Sequence, residues 1–200
     1  GLWLCMPGYA QPYRPSNADL LRRASRGGSR TELARACGSN LTGLDVLDAC
    51  AGYGSDGLLL AQLGAQVCLV ERDRLIWMLL HDRAQHIPRT ETVCDQASNV
   101  LQGRSSGGDT APAKIWDVVL LDPMFPRIAK KALPNRGLQH LRQLTEDPLA
   151  GSLELEDELA ELLALAKAQC SGRVVVKRRL KDDVTGQVDF QIKGKSVRFD

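Results

Sequence analysis

The sequence predicts a doubly wound α/β domain whose sheet is mostly parallel and ends in an antiparallel hairpin. Short apolar runs alternate with helical stretches along most of the 200 residues, as in strand–helix–strand units. The run at 116–121 is apolar almost throughout, which indicates a strand buried on both faces. Two further strand-like runs, joined through Lys193 and Gly194, close the chain and predict the hairpin.

The first half of the chain contains three predicted strands. Residues 1–17 lack periodicity and predict an irregular arm, and 19–37 predicts one or two helices interrupted by Gly27 and Gly28. The elements that follow are a strand at 44–50, a helix at 56–63 ended by Gly64, a strand at 66–71, a helix at 73–86, a strand at 90–94 and a short helix up to 101.

The second half begins with a loop at 102–113, rich in glycine and serine. A long helix is predicted from Ser152, which suits an N-cap, to residue 169, because its first turns are acidic and Lys167 lies near its end. The predicted strands are 116–121, 173–177, and the hairpin pair 184–192 and 195–199. We expect two parts, a short N-terminal arm with a helical segment at 1–40 and a single domain at 41–200.

Composition excludes some classes of protein. The hydrophobic fraction of 44% is enough for a core, and no run approaches the ~18 apolar residues of a membrane span. Six cysteines occur without a C-x-x-C pair or a nearby histidine, which favours reduced thiols, a cytoplasmic protein and no metal site. The net charge is only +2, but basic residues cluster in ways that can form an anion-binding face.

A glycine-rich turn at 48–57 joins the first predicted strand to its helix. Gly52, Gly54 and Gly57 match the spacing G-x-G-x-x-G, and Glu71 ends the next strand, where a carboxylate can accept hydrogen bonds from ribose hydroxyls. Two cofactors fit this pattern, a dinucleotide and S-adenosylmethionine.

Charge discriminates between these cofactors. A dinucleotide places its pyrophosphate on the helix N-terminus, where Asp56 would repel it. S-adenosylmethionine carries an ammonium and a sulfonium, which Asp48 and Asp56 suit, while Gly52 and Gly54 allow the backbone to approach closely. The turn therefore favours S-adenosylmethionine.

A second turn follows the strand at 116–121 and reads Asp-Pro-Met-Phe-Pro. An aromatic amine is a poor nucleophile, because its lone pair is delocalised into the ring. Asp122 and the carbonyl of Pro123 could hold its two N–H groups, and Phe125 could stack the base for about 1–3 kcal/mol. The turn predicts methyl transfer to a planar amine, with these three residues as the catalytic set.

A base must leave its stack, or be single-stranded, to enter such a pocket. Basic residues that follow the second turn and the strand at 173–177 are placed to contact phosphates. They are Arg127, Lys130, Lys131, Lys177 and Arg178. Alternatively, Lys177 could pair with a carboxylate at the edge of the core.

The chain resembles the bacterial ribosomal small-subunit RNA guanine-N2 methyltransferases of the RsmJ type over roughly residues 20–200. The resemblance rests on the segments 48–57, 70–72, 121–126, 173–178 and 197–200. It implies a Rossmann-like class I methyltransferase sheet, and as substrate a guanine of 16S ribosomal RNA, either free or in the small subunit.

The same resemblance implies which residues contact the methyl donor. They are Ser55, Asp56, Glu71, Arg72, Asp95, Gln96, Ala97 and Asp122. The spacing of the residues alone does not separate guanine N2 from adenine N6 in DNA or RNA, or from a protein amide. An NAD-type oxidoreductase and a non-catalytic RNA-binding module are further alternatives, which Asp56 and the intact motifs disfavour.

Overall fold

The computed structural model describes residues 1–104, 113–123, 136–145, 152–183 and 187–200. A seven-stranded sheet forms the centre of the molecule, with helices on both of its faces. The helices are α1 (Ala18–Arg26), α2 (Glu32–Cys37), α3 (Gly57–Gln62), α4 (Arg74–Ala84), α5 (Ala97–Leu101), α6 (Arg136–Thr145) and α7 (Ser152–Ala168). The strands are β1 (Asp45–Asp48), β2 (Gln66–Glu71), β3 (Thr90–Cys94), β4 (Trp116–Leu121), β5 (Cys170–Arg179), β6 (Ile192–Lys193) and β7 (Val197–Phe199).

The strand order is β3-β2-β1-β4-β5-β7-β6. Neighbouring strands from β3 to β5 pair in parallel, whereas β7 pairs antiparallel with both β5 and β6. This order confirms the predicted doubly wound sheet with an antiparallel end. It also places the carboxyl ends of β1, β2, β3, β4 and β5 at one edge, where sheets of this kind bind ligands.

Alternating side chains of the parallel strands build two apolar layers. Val46, Leu69 and Leu120 point to the layer that contains α2, α3 and part of α4. Leu47 and Leu121 point to the opposite layer, which α5 and α7 cover. Because both of their faces are buried, β2 and β4 are apolar along most of their length.

Two features of the fold differ from the predicted elements. The helix α6 was not expected from the sequence. Within the described residues 187–193, the strand is Ile192–Lys193, at the end of the predicted run 184–192, because its partner β7 is three residues long and supports a short ladder. The predicted division of the chain at residue 40 stays a prediction.

None of the helices in the described ranges is long and apolar enough to cross a membrane.

Candidate active site

The carboxyl ends of three adjacent strands bring charged side chains together at one edge of the sheet. Leu121 of β4 pairs in register with Val176 of β5, so the next residues, Asp122 and Lys177, lie side by side. The Lys177 Nζ atom is 2.6 Å from Asp122 Oδ2 and 2.6 Å from Asp56 Oδ2. The glycine turn and the Asp-Pro turn therefore meet across one lysine.

The glycine turn packs tightly on the structure beneath it. A Cβ atom at Gly54, where φ is +73°, would lie 2.5 Å from Leu80 Cδ1. At Gly57, a Cβ atom would lie 2.6 Å from Asp48 Oδ2 and 2.8 Å from Leu69 Cδ2. Glycine at these two positions lets the turn and the start of α3 lie directly against β1, β2 and α4.

Asp48 is the most deeply enclosed carboxyl group of the site, with 1% of its surface exposed. Its Oδ2 atom accepts a hydrogen bond of 3.0 Å from the Gly57 N–H. Burial, with the nearby Asp56 and Asp122 carboxylates, raises its pKa to about 8, although Lys177 opposes the shift. Asp48 therefore carries a proton at neutral pH and supports the turn from below, and its predicted contact with a cofactor stays a prediction.

Asp56 and Asp122 differ in their electrostatic surroundings. Burial alone would raise the pKa of Asp56, but the Lys177 and Arg23 cations outweigh burial and lower it. Arg23 Nη2 lies 2.9 Å from Asp56 Oδ1. Burial raises the pKa of Asp122, with Lys177 opposing this shift and Asp56 adding to it. Lys177 is thus the cation that both carboxylates share. Burial would lower the pKa of Lys177, but the Asp56 and Asp122 carboxylates outweigh burial and raise it.

Glu71 ends β2 and is fixed from both sides by the backbone. Its Oε2 atom accepts the N–H of Gly52 at 2.9 Å, and its Oε1 atom accepts the N–H of Asp73 at 2.8 Å. Burial raises the pKa of Glu71, although these two hydrogen bonds oppose the shift. A carboxylate oxygen accepts more than one hydrogen bond, so Glu71 retains the capacity to bind a diol.

The segment after β3 lies beside Glu71, because Cys94 of β3 pairs in register with Glu71. Asp95 is 8% exposed, and its Oδ1 atom accepts the N–H of Gln96 at 2.6 Å and an amide N–H of Asn99 at 2.8 Å. These bonds fix the start of α5 at Ala97, so the predicted donor-contacting segment is part of the same sheet edge.

Two of the predicted donor contacts are engaged elsewhere. Arg72 Nη1 lies 2.8 Å from Glu158 Oε1 on α7, at an exposed position. Ser55 Oγ accepts a hydrogen bond of 3.3 Å from Arg83, while the Ser55 carbonyl accepts one from Arg23. Whether either side chain turns to a bound ligand stays a prediction.

Among the predicted RNA contacts, Lys177 adopts the alternative that the sequence left open: it pairs with carboxylates at the edge of the core. Arg178, on the same strand, is only 7% exposed. A phosphate would therefore have to compete with two carboxylates for Lys177. The remaining residues lie outside the described part of the chain. They are Arg127, Lys130 and Lys131, and the predicted base-stacking residue Phe125 also lies outside the described part. Pro123 is described and lies directly beside Asp122, half-buried.

Arg83 is a site residue that reasoning from the sequence missed. Its guanidinium is buried and donates to the Tyr53 carbonyl at 2.7 Å, to Asn17 Oδ1 at 2.8 Å and to the Ser16 carbonyl at 3.0 Å. It joins the N-terminal arm to the glycine turn. The sequence could have indicated Arg83 by its position, because it lies on the apolar face of α4, two helical turns after Ile76.

An aromatic cap covers the glycine turn, and the sequence did not predict it. The His140 ring on α6 is fully buried and lies 4.2 Å from the Tyr9 ring and 5.0 Å from the Tyr13 ring. Tyr13 in turn lies 5.6 Å from the ring of Tyr53, inside the turn. The arm and α6 therefore lie against the glycine turn, where a Cβ atom at Gly52 would be 3.4 Å from Leu141 Cδ2 of α6.

Within the ranges described, no three His, Cys, Asp or Glu side chains are grouped so as to hold a metal ion. The chemistry of the edge is instead that of carboxyl groups and backbone amides converging from several strand ends. Such a set suits a ligand that carries hydroxyl groups and positive charge.

Comparison with known proteins agrees with this geometry. A family model described as "Putative SAM-dependent methyltransferase" matches residues 15–200. Ribosomal RNA small subunit methyltransferase J of Alkalilimnicola ehrlichii is 39% identical over 90% of this chain and 68% of its own length. The protein of the same name from Pseudomonas aeruginosa is 37% identical, over 97% of this chain and 74% of its own length.

A solved structure extends the similarity to three dimensions. The crystal structure of a SAM-dependent methyltransferase from Neisseria gonorrhoeae superimposes with a TM-score of 0.70 at 26% sequence identity. The match covers 99% of this chain and 77% of the other.

Proposed function

The chain belongs to the SAM-dependent methyltransferase family, together with the ribosomal RNA small subunit methyltransferases J, and from this premise we propose that it methylates the N2 amine of a guanine in 16S ribosomal RNA. It is a methyltransferase that uses S-adenosylmethionine. One observation carries the proposal: Lys177 contacts Asp56 of the glycine turn and Asp122 of the Asp-Pro turn, both at 2.6 Å. A donor at the first turn and an acceptor at the second would be neighbours.

The residues at the sheet edge fit the donor. S-adenosylmethionine supplies a methyl group on a positively charged sulfur, together with an ammonium and a ribose diol. Glu71 would hold the ribose, because two backbone N–H groups already fix its carboxylate. The segment of Asp95, Gln96 and Ala97 would border the same ligand, and Asp56 would face its positive charge.

Asp122 and Pro123 would orient the acceptor. The Asp122 carboxylate accepts one N–H of the exocyclic amine and the Pro123 carbonyl accepts the other, which turns the nitrogen lone pair toward the methyl group. Holding both reactants in line supplies much of the rate, since effective molarities of oriented groups reach about 10⁵ M or more. Phe125 would stack the base, and the amine proton would leave to water.

The RNA substrate follows from the relatives and from charge. The relatives that are 37–39% identical bear the name of small-subunit ribosomal RNA methyltransferases. Arg127, Lys130 and Lys131, which follow the Asp-Pro turn, would contact phosphates next to the flipped base. A ribosomal substrate would place the enzyme in the cytoplasm.

Methyl transfer from labelled S-adenosylmethionine tests the proposal. Intact small subunits and naked 16S ribosomal RNA would be incubated separately, digested to nucleosides and separated by chromatography. We expect label in N2-methylguanosine with the wild type, and none with Asp122→Ala, which should still bind S-adenosylhomocysteine. Label in N6-methyladenosine or in ribosomal protein would identify a different planar amine as the acceptor and refute guanine.

A further inference from the structure

We propose that Lys177 is a positioning residue that links the two turns of the site and fixes the Asp122 carboxylate toward the acceptor amine. This inference rests on the proposed function and extends it, because nothing in the methyl-transfer reaction itself requires a lysine at this place.

The geometry gives Lys177 this role. The side chain of Lys177 extends from β5 beside the end of β4 and is 23% exposed. The ammonium therefore lies between the core and the carboxyl edge of the sheet. The Asp122 side chain is 35% exposed and opens toward solvent. Lys177 engages Oδ2 of Asp122, which restricts rotation of the carboxylate and determines where its second oxygen points.

Asp56 contacts a second cation besides Lys177. Asp56 therefore depends on Lys177 less than Asp122 does. Arg23 holds the other oxygen of Asp56 at 2.9 Å and also bonds the Ser55 carbonyl. Loss of Lys177 would therefore leave Asp56 and the glycine turn anchored. Asp122 would lose the cation that its carboxylate contacts directly.

The charges that surround Asp122 determine in which direction its pKa moves when Lys177 is removed. Lys177 faces it from β5, Asp56 from the glycine turn and Asp48 from β1, while the Cys50 thiol lies against its backbone. Burial and Asp56 raise the pKa of Asp122, and Lys177 opposes both. Without the lysine, Asp122 would hold its proton to higher pH, and its second oxygen would no longer be fixed as the acceptor for the amine N–H.

The variant Lys177→Met tests the proposal, with Lys114→Met as its matched control. Lys114 pairs with Asp45 at 2.9 Å, at the opposite edge of the sheet, so the control removes a lysine–carboxylate pair far from the site. Carbon-13 NMR of aspartate carboxyl groups, with Asp122→Asn for assignment, follows the titration of Asp122 without any turnover. Calorimetry measures the affinity for S-adenosylhomocysteine.

In Lys177→Met we expect the Asp122 titration to move to higher pH and kcat to fall at least ~tenfold at neutral pH. The acid limb of the kcat profile should move to higher pH in parallel. Affinity for S-adenosylhomocysteine should stay within about threefold of the wild type, because Arg23 still anchors Asp56. Lys177→Arg should recover most of kcat, and Lys114→Met should match the wild type throughout.

An Asp122 titration that does not move, or a kcat loss matched by an equal loss of S-adenosylhomocysteine affinity, would overturn the proposal. If Lys177→Met does not fold, Lys177→Gln removes the charge with a smaller packing change, and Lys177→Arg remains the charge-retaining comparison. Failure of the wild type to methylate any guanine would refute the proposed function alone, because the NMR titration decides the role of Lys177 independently.

Discussion

Gly57→Ala is the most direct test of how the glycine turn is built. Gly57 is the first residue of α3 and its φ is not positive, so alanine meets no backbone restriction there. The added Cβ atom would lie 2.6 Å from Asp48 Oδ2 and 2.8 Å from Leu69 Cδ2. Both neighbours are buried, with 1% of Asp48 and 0% of Leu69 exposed.

The structure sets the size of the effect. Overpacking a buried contact costs about 1–3 kcal/mol. Moving α3 away from Asp48 also weakens the hydrogen bond from the Gly57 N–H, and a buried donor left without its partner costs about 1–3 kcal/mol. The better helix propensity of alanine returns at most about 1 kcal/mol. We expect the free energy of unfolding to fall by about 2–4 kcal/mol.

Denaturant unfolding followed by circular dichroism measures this change, and the melting temperature should fall by about 5–15 °C. The double variant Gly57→Ala/Asp48→Ala provides the control. Alanine at 48 removes the carboxylate, so the second substitution should then cost at least about 1 kcal/mol less than in the wild type. A Gly57→Ala protein as stable as the wild type would refute the close approach of α3 to β1.

Three further variants probe the remaining groups of the site. Glu71→Ala should weaken binding of S-adenosylhomocysteine at least ~tenfold by calorimetry, because the ribose loses its acceptor. The pKa of Asp48 is raised to about 8, so the native state binds more protons than the unfolded state between pH 4 and 8 and stability falls as pH rises through this window. Asp48→Asn should remove this slope, which reaches up to about 1.4 kcal/mol per pH unit, in denaturant titrations at several pH values. Arg83→Met should lower the free energy of unfolding by about 2–4 kcal/mol and speed limited proteolysis of the N-terminal arm, because the Ser16 and Tyr53 carbonyls lose their donor.

For these variants, a control substitution or a result that would contradict the expectation can be stated. Glu91→Ala changes an exposed carboxylate on β3 and should bind like the wild type, whereas unaltered binding by Glu71→Ala would remove Glu71 from the ribose site. Parallel stability curves for Asp48→Asn and the wild type would show that Asp48 is ionised in the folded protein. Arg22→Met, at an exposed position on α1, should leave the arm as resistant to protease as before, and equal resistance in Arg83→Met would contradict the anchoring role.

The central strands of the sheet were predictable because burial on both faces leaves a plain signal. The runs that became β2 and β4 are apolar and end in polar turns, whereas β3 is mostly polar and only partly buried. The predicted ends of all three strands match the structure. The helix α6 gave a weaker signal, a helical spacing of Leu138, Leu141 and Leu144, which was overlooked. Its sequence is largely polar, and what holds His140 in place is contact with the rings of the distant N-terminal arm. Such contacts depend on tertiary structure and not on local periodicity.

The site was predictable to the extent that it follows from strand ends. Parallel strands deliver their carboxyl ends to one edge, so Asp48, Glu71 and Asp122 could be grouped before any coordinates existed. The partner of Lys177 could not be predicted, because the register between β4 and β5 determines whether its ammonium contacts Asp122 or solvent. Sequence position does not determine register between strands joined by a long crossover.

The structure changes the reason why the glycine turn rejects a dinucleotide. The sequence argument relied on repulsion by Asp56, yet Asp56 is neutralised by Lys177 and Arg23. A pyrophosphate needs N–H groups at the start of the helix. The Gly57 N–H is already bonded to Asp48 Oδ2 at 3.0 Å, and the next N–H, of Leu58, is bonded to a carbonyl of the turn. Asp48 thus takes the N–H that a phosphate would need, which disfavours a dinucleotide at this turn whatever the charge of Asp56.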